Sequence, residues 1–272
     1  MAAIRDALEE IVDEYTSLTV RQCFYQAVGR GVVDKTEQEY KGTVCRLLAD
    51  MRRDGTIPYH KLSDNTRWQR KPTTFSGLEQ MLENTQRTYR RAIWDEQPAY
   101  VEIWLEKDAL AGVLWEVTRK WDVPLMVTRG YPSISYLHEA AEAIAAQGKP
   151  AFLYYFGDRD PSGVDIDRCV EKQIREMAPD ADLHFERVGV TEAQIAELSL
   201  PTRPTKKTDS RSKGFEGESV EVDAIDPETL CQICDDCIRR HIDFDSYYRM
   251  REVENAERDT LATLISNMGG EL

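Results

Sequence analysis

Long apolar runs are missing from this 272-residue chain. The longest, such as Ala151 to Phe156, are far too short to span a bilayer, which excludes a helical membrane protein. Cysteine is sparse: six residues, scattered or gathered in one segment, with no framework of the kind that staples small secreted domains. Glycine (15) and proline (11) are too few for a collagen-like or low-complexity chain, and 41% hydrophobic with 31% charged residues excludes a largely disordered one. No internal repeat and no glycine-rich loop suited to ATP phosphates is present. Positive charge is in deficit, with 35 Lys and Arg against 49 Asp and Glu, a net charge of −14 and a pI near 4.9. That balance argues against a polyanionic partner. Residues 1–20 set Arg5 against four acids by position 13, the reverse of a secretory signal, so the expectation is a reduced, cytoplasmic protein with no membrane partner. The length suits one large or two modest domains.

The charge deficit is uneven. Residues 19–91 carry 14 Lys and Arg against 8 Asp and Glu, whereas residues 92–272 carry 20 against 36. A basic segment is joined to an acidic one.

In the basic segment, Thr19 and Gln22 form a capping box that opens a helix through Val20, Cys23, Phe24, Ala27 and Val28, stopping near Gly29 and Gly31. Thr36 and Glu39 open a second helix to Arg53, with Tyr40, Val44, Leu47, Leu48 and Met51 as its apolar ladder. Gly55 ends it, and Thr56 to Tyr59 reads as extended chain. With a preceding helix from Ile4 to Tyr15, this is the layout of a winged helix-turn-helix over residues 1–92. Ser76 and Glu79 cap a further helix to Arg91.

After a boundary at Trp94 to Pro98 the rhythm changes. Apolar strands at 101–105, 124–127, 151–156 and 183–188 alternate with helices near 108–120, 133–147 and 163–178. Near-continuous apolar strands with intervening helices predict an α/β unit over residues 99–225, its parallel sheet covered on both faces. Asp226-Pro227 starts a helix to Arg240, and a charged amphipathic helix completes residues 226–272.

Functional groups of such sheets collect at the carboxyl ends of strands. Glu106 follows one strand, and Asp158 and Asp160 follow another. Each could be a turn residue or helix N-cap. Together, if the two strands are neighbours, they form a cluster that ionises with difficulty unless a cation lies among them. Mg²⁺ suits hard oxygen ligands working beside phosphate.

These motifs have a familiar order. Glu106-Lys107-Asp108-Ala109, then Gly130-Tyr131-Pro132 preceded by the basic Arg129, then Gly157-Asp158-Arg159-Asp160-Pro161-Ser162-Gly163 resemble a Toprim domain. The version most similar is that of topoisomerase VI A subunits and their meiotic double-strand-break relatives. The resemblance covers residues 100–210 well and the N-terminal part more loosely. It implies a Rossmann-like Toprim fold behind a winged helix, with Glu106, Asp158 and Asp160 as Mg²⁺ ligands. It also implies a catalytic tyrosine. Val20-Arg21-Gln22-Cys23-Phe24-Tyr25 is similar to the segment that carries it, which makes Tyr25 the nucleophile and Arg21 its partner. On a helix Arg21 and Tyr25 share a face, where a guanidinium favours the phenolate and can hold a phosphate. The family's chemistry would then be attack by Tyr25 on double-stranded DNA, a 5′-phosphotyrosyl link, and a homodimer pairing one subunit's tyrosine with its partner's metal. ATP-driven strand passage would need a separate ATPase subunit. The rivals are a Toprim nuclease using water, and a DNA-binding module without activity.

Candidate DNA contacts follow the charge map. Lys41, Arg46, Arg52 and Arg53 lie on the second helix, Lys61, Arg67, Arg70 and Lys71 on the wing and linker, and Arg203, Lys206, Lys207, Arg211 and Lys213 on a later loop. Arg129 joins them by its motif. Cys231, Cys234, Cys237 and His241 have the spacing of a metal or iron–sulfur signature. On one continuous helix, however, the outer two would be about 15 Å apart, which makes them core residues. The acidity limits DNA affinity. Titrated against a fluorescent duplex, the chain is expected to bind modestly without Mg²⁺ and to weaken steeply with salt; tight metal-free binding at high salt would contradict this.

Overall fold

The computed structural model describes residues 1–16, 18–63, 72–204, 215 and 217–269. The chain is mixed α/β. Its centre is a four-stranded, wholly parallel sheet of β3 (Tyr100–Leu105), β4 (Leu125–Val127), β5 (Ala151–Phe156) and β6 (Leu183–Gly189), ordered β4-β3-β5-β6.

Alternation along the central strands explains its two covered faces. Val101, Ile103 and Leu105 with Tyr154 and Phe156 face one core, shared with α5 (Ala111–Trp121) and α9 (Pro227–Arg239). Tyr100, Trp104, Leu153 and Tyr155 face the other, closed by α6 (Ile134–Gln147) and α7 (Pro161–Met177). Each of these helices except α5 has a side-chain cap: Ser133 for α6, Asp160 for α7 and Asp226 for α9.

The N-terminal part comprises α1 (Ala2–Glu14), a short parallel pair of β1 (Leu18–Thr19) and β2 (Leu62–Ser63), α2 (Val20–Gly29) and α3 (Cys45–Arg53). Thr19 and Gln22 make the expected reciprocal capping box. Leu8, Ile11, Phe24, Leu48 and Met51 belong to the same continuous core as Val101 and Ile103, so the helices and the sheet share one interior.

Several expected boundaries shift. The second helix begins as a π-helical turn, Glu39–Val44, before α3. The stretch read as extended, Thr56 to Tyr59, leads through an extended Pro58 into a 3₁₀ turn, Tyr59–Lys61. The fourth helix, α4, is shorter (Leu78–Thr88) and Ser76 does not cap it, because its N–H and hydroxyl both donate to Gln80 Oε1. An additional helix, α8 (Glu192–Glu197), follows β6. Helix α4 buries no residue of its own and packs on the long α10 (Phe244–Gly269); beside it, Tyr89 and Arg91 bind Glu257. Among the described residues no helix is long and apolar enough to cross a membrane.

One buried acid stands out on the α6–α7 side. Glu102 is 1% exposed, and its carboxylate accepts from Tyr100 Oη (2.8 Å) and Trp104 Nε1 (2.7 Å), with no ion pair to a cation among the described residues. Burial raises its pKa to about 7, against the lowering effect of those two donors. An acid raised in this way favours the fold below the unfolded value and costs stability as pH climbs from there through about 7. Glu102→Gln mimics the protonated form, since the Tyr100 hydroxyl can turn to accept. Urea unfolding should therefore show the variant gaining on the parent between pH 5 and pH 8, by up to about 3 kcal/mol. Parallel profiles for the two proteins would refute this.

Candidate functional site

The first two sheet strands in the chain lie side by side, and β5 returns on the far side of β3 from β4. The crevice outside the carboxyl ends of β3 and β5 is therefore the topological switch point, the position where open α/β sheets bind ligands. Glu106 and Asp158 both emerge there. The Glu106 N–H donates to Phe156 O (2.8 Å), and the Asp158 N–H donates to Glu106 Oε2 (3.0 Å). Asp160 heads α7, its Oδ1 accepting from the N–H groups of Ser162 (3.0 Å) and Gly163 (2.8 Å).

Arg187 braces this turn from β6. It pairs with Asp167 and donates to the carbonyls of Gly157 (3.0 Å), Asp158 (3.2 Å) and Gly163 (2.9 Å). The turn fits only because Gly163 lacks a side chain: a Cβ there would lie 2.1 Å from Asp158 O and 3.3 Å from Glu106 Oε2.

The strand ends and the turn into α7 thus bring the three expected acidic residues to one end of the sheet. Burial first, then the charges of Asp158 and Asp160, raise Glu106 to about 7. Burial also raises Asp158, against the pull of Lys107. The hydrogen bonds above engage one oxygen of Glu106 and one of Asp160. Among the described residues, no group of three or more His, Cys, Asp or Glu side chains is arranged to hold a metal ion. The donor chemistry itself, hard carboxylate oxygens from two strand ends and a helix cap, is that of a Mg²⁺ site.

A protein cation already stands against Asp158. Lys107 Nζ lies 3.0 Å from Asp158 Oδ1, 3.1 Å from Glu221 Oε2 and 2.6 Å from Asp223 Oδ2. Asp158 Oδ1 also accepts from Val222 N (2.8 Å). Burial would lower the lysine, but Asp223, Asp158 and Glu221 outweigh it and hold the ammonium charged. Glu221 gathers more: Arg21 grips it in a fork (2.9 and 3.2 Å), and Arg203 Nη1 lies 3.0 Å away. Burial opposes its charge, yet Lys107 and Arg21 hold it down at about 2.

Tyr25 is placed differently from expectation. It is 4% exposed, with Lys35 over its ring at 5.3 Å. Arg21 favours the phenolate as expected, but it is outweighed: burial and the Glu221 charge raise the phenol, and Arg21 and Lys107 only partly offset them. Tyr25 and the strand-end carboxylates nevertheless border one network within one chain.

The candidate DNA-contacting residues divide. Arg46 and Arg53 are exposed on α3, Lys41 on the turn before it pairs with Glu37 (2.9 Å), and Arg52 lies over the Tyr59 ring. Lys61 instead donates to the carbonyls at the end of α1, including Tyr15 O (2.8 Å). Arg129 is mostly exposed, 3.1 Å from Asp108. Arg203 reaches Glu221, with Asp160 at 4.0 Å. Arg67, Arg70, Lys71, Lys206, Lys207, Arg211 and Lys213 lie outside the described residues.

The cysteine cluster sits on one helix, as its spacing predicts. Cys234 and Cys237 are buried in the core, and His241 bonds Tyr154 Oη (2.7 Å) and stacks on Phe152. Sequence reasoning missed Lys107, Glu221 and Asp223. Their signal was the acid–apolar alternation of Glu221-Val222-Asp223, which places two acids beside two core valines. No family model matches the chain, and no curated protein matches its sequence.

The tight turn gives a direct test of the site's architecture. Gly163→Ala should lower the urea midpoint by an amount corresponding to about 2 kcal/mol or more, because backbone must move. Gly42→Ala, which meets nothing within 4 Å, serves as the control and should be neutral or mildly stabilising. Equal behaviour of the two variants would contradict the close approach.

Proposed function

We propose that this chain is a Mg²⁺-dependent DNA-cleaving protein on the winged-helix and Toprim plan of topoisomerase VI A subunits, acting as a homodimer on double-stranded DNA. The observation that carries this reading is the placement of Glu106, Asp158 and Asp160 at the switch-point end of the sheet, beside a cationic cluster that reaches Tyr25. Glu106, Asp158 and Asp160 would hold the ion. When bound, Mg²⁺ supplies stabilisation of charge on the phosphate and leaving oxygen. The exposed cations of α3 steer the phosphate backbone, and Arg21 lies where a phosphate would meet Tyr25.

The resemblance makes Tyr25 the nucleophile. Its burial and raised phenol favour a second reading, in which water is the nucleophile and the protein is a Toprim nuclease. Either way the carboxylates are required, and in a dimer two such sites would cut both strands.

Supercoiled plasmid with Mg²⁺, followed by protease treatment, tests both readings. Wild-type protein should nick or linearise the plasmid, and Asp158→Asn should reduce this by about 10²-fold or more. Under transesterification, products shift only after proteolysis and Tyr25→Phe is inert. A Tyr25→Phe protein that cleaves like wild type leaves water as the nucleophile. If Mg²⁺ supports no cleavage by the wild-type protein, the enzymatic reading falls and a DNA-binding module remains.

A further inference from the structure

The carboxylate of Glu221 is unusually heavily partnered. It is 5% exposed and takes donors from three different parts of the chain: Arg21 on α2, Lys107 after β3, and Arg203 after α8. A carboxylate offers about four lone-pair sites, and here a two-nitrogen fork, an ammonium and a second guanidinium all draw on them. Two of the three cations reach outward, with Arg203 44% and Arg21 29% exposed at the side chain. The other acids facing this cluster are Asp158 and Asp223, both on Lys107, and Asp160 at the edge of Arg203.

A phosphodiester resembles this carboxylate in what it shows to its partners. It carries one negative charge on two non-bridging oxygens, and a guanidinium fork binds both kinds of anion in the same bidentate way. We propose that Arg21, Lys107 and Arg203 form the pocket for one DNA phosphate, and that Glu221 is an internal substitute that occupies it until DNA displaces it. This rests on the reading of the adjacent carboxylates as a phosphodiester-cleaving site, and it identifies where one substrate phosphate sits. A phosphate in the place of the Glu221 carboxylate would lie against the Tyr25 hydroxyl and share Lys107 with Asp158. The plug also gives the acidic sequence a local use: it keeps three cations from meeting the wrong anion.

The test is DNA binding by the full-length protein in EDTA, where cleavage plays no part. The probe is a short fluorescent duplex followed by anisotropy over a range of salt. Glu221→Gln should bind about tenfold tighter than wild type, and its plot of log affinity against log salt should steepen by about 1, because freed cations now contact phosphate. Glu218→Gln changes the net charge equally on an exposed neighbour and should show no comparable gain. Arg203→Gln should cost more affinity in the Glu221→Gln background than in the wild type. Should Glu221→Gln fail to fold by circular dichroism, Glu221→Asp withdraws the same charge by one methylene and should show a smaller gain. Unchanged or weaker binding by the folded Glu221 variant overturns the proposal, as does an equal gain in Glu218→Gln or an additive Arg203 effect. Tighter binding without any Mg²⁺-dependent nicking by wild type keeps the phosphate pocket and removes the cleavage reading. Nicking with no gain in affinity does the reverse.

Discussion

The ammonium of Lys107 is the interaction on which the site depends. Three carboxylates, Asp158, Glu221 and Asp223, surround it within 3.1 Å. Without it, buried acids would face one another in a medium that screens them poorly. With it, Asp158 has a charge partner at the end of β5, and the segment carrying Glu221 and Asp223 is drawn against the end of β3. Taking so many charges out of water is expensive, and such networks hold only when every member is partnered. Here the backbone helps, since Val222 N donates to Asp158 and the Arg159–Val220 bridge aligns the two segments.

Around that cation the fold supplies rigidity rather than chemistry. Two covered faces fix β3 and β5, the switch in strand order opens a crevice between their ends, and Arg187 fastens the turn into α7 through three carbonyls. The N-terminal helices share a core with one face of the sheet. Through that core, and through Arg21 on Glu221, α2 is held in a fixed relation to the carboxylates.

Periodicity and capping made most of the architecture readable in advance. The Thr19–Gln22 box, the Asp226 cap and the positions of the four sheet strands all follow from local rules acting within a few residues. What was not readable depends on contacts across the chain. Helical spacing places Tyr25 beside Arg21, but it does not reveal that burial, together with Glu221 some 200 positions away, outweighs Arg21 at the phenol. Lys107 lay inside a recognised motif, yet two of its three partners, Glu221 and Asp223, come from a segment in which no motif was read. Ser76 was misjudged as a cap because Gln80 offers its hydroxyl and N–H a closer acceptor than the helix end offers a donor.

The Arg21–Glu221 pair has a consequence for how the molecule assembles. Joining positions so distant closes a very large loop, and the entropy of that closure falls on whichever contact forms first across it. A buried ion cluster is a poor candidate for that step, since its members are favourable only once water has left. The shared apolar core between the N-terminal helices and the sheet must close the loop, and the charges then lock into a gap already shaped for them. Such late-forming contacts act on the rate at which the native state opens more than on the rate at which it forms, so the charge cluster sets the lifetime of the folded chain while the apolar interior sets its formation.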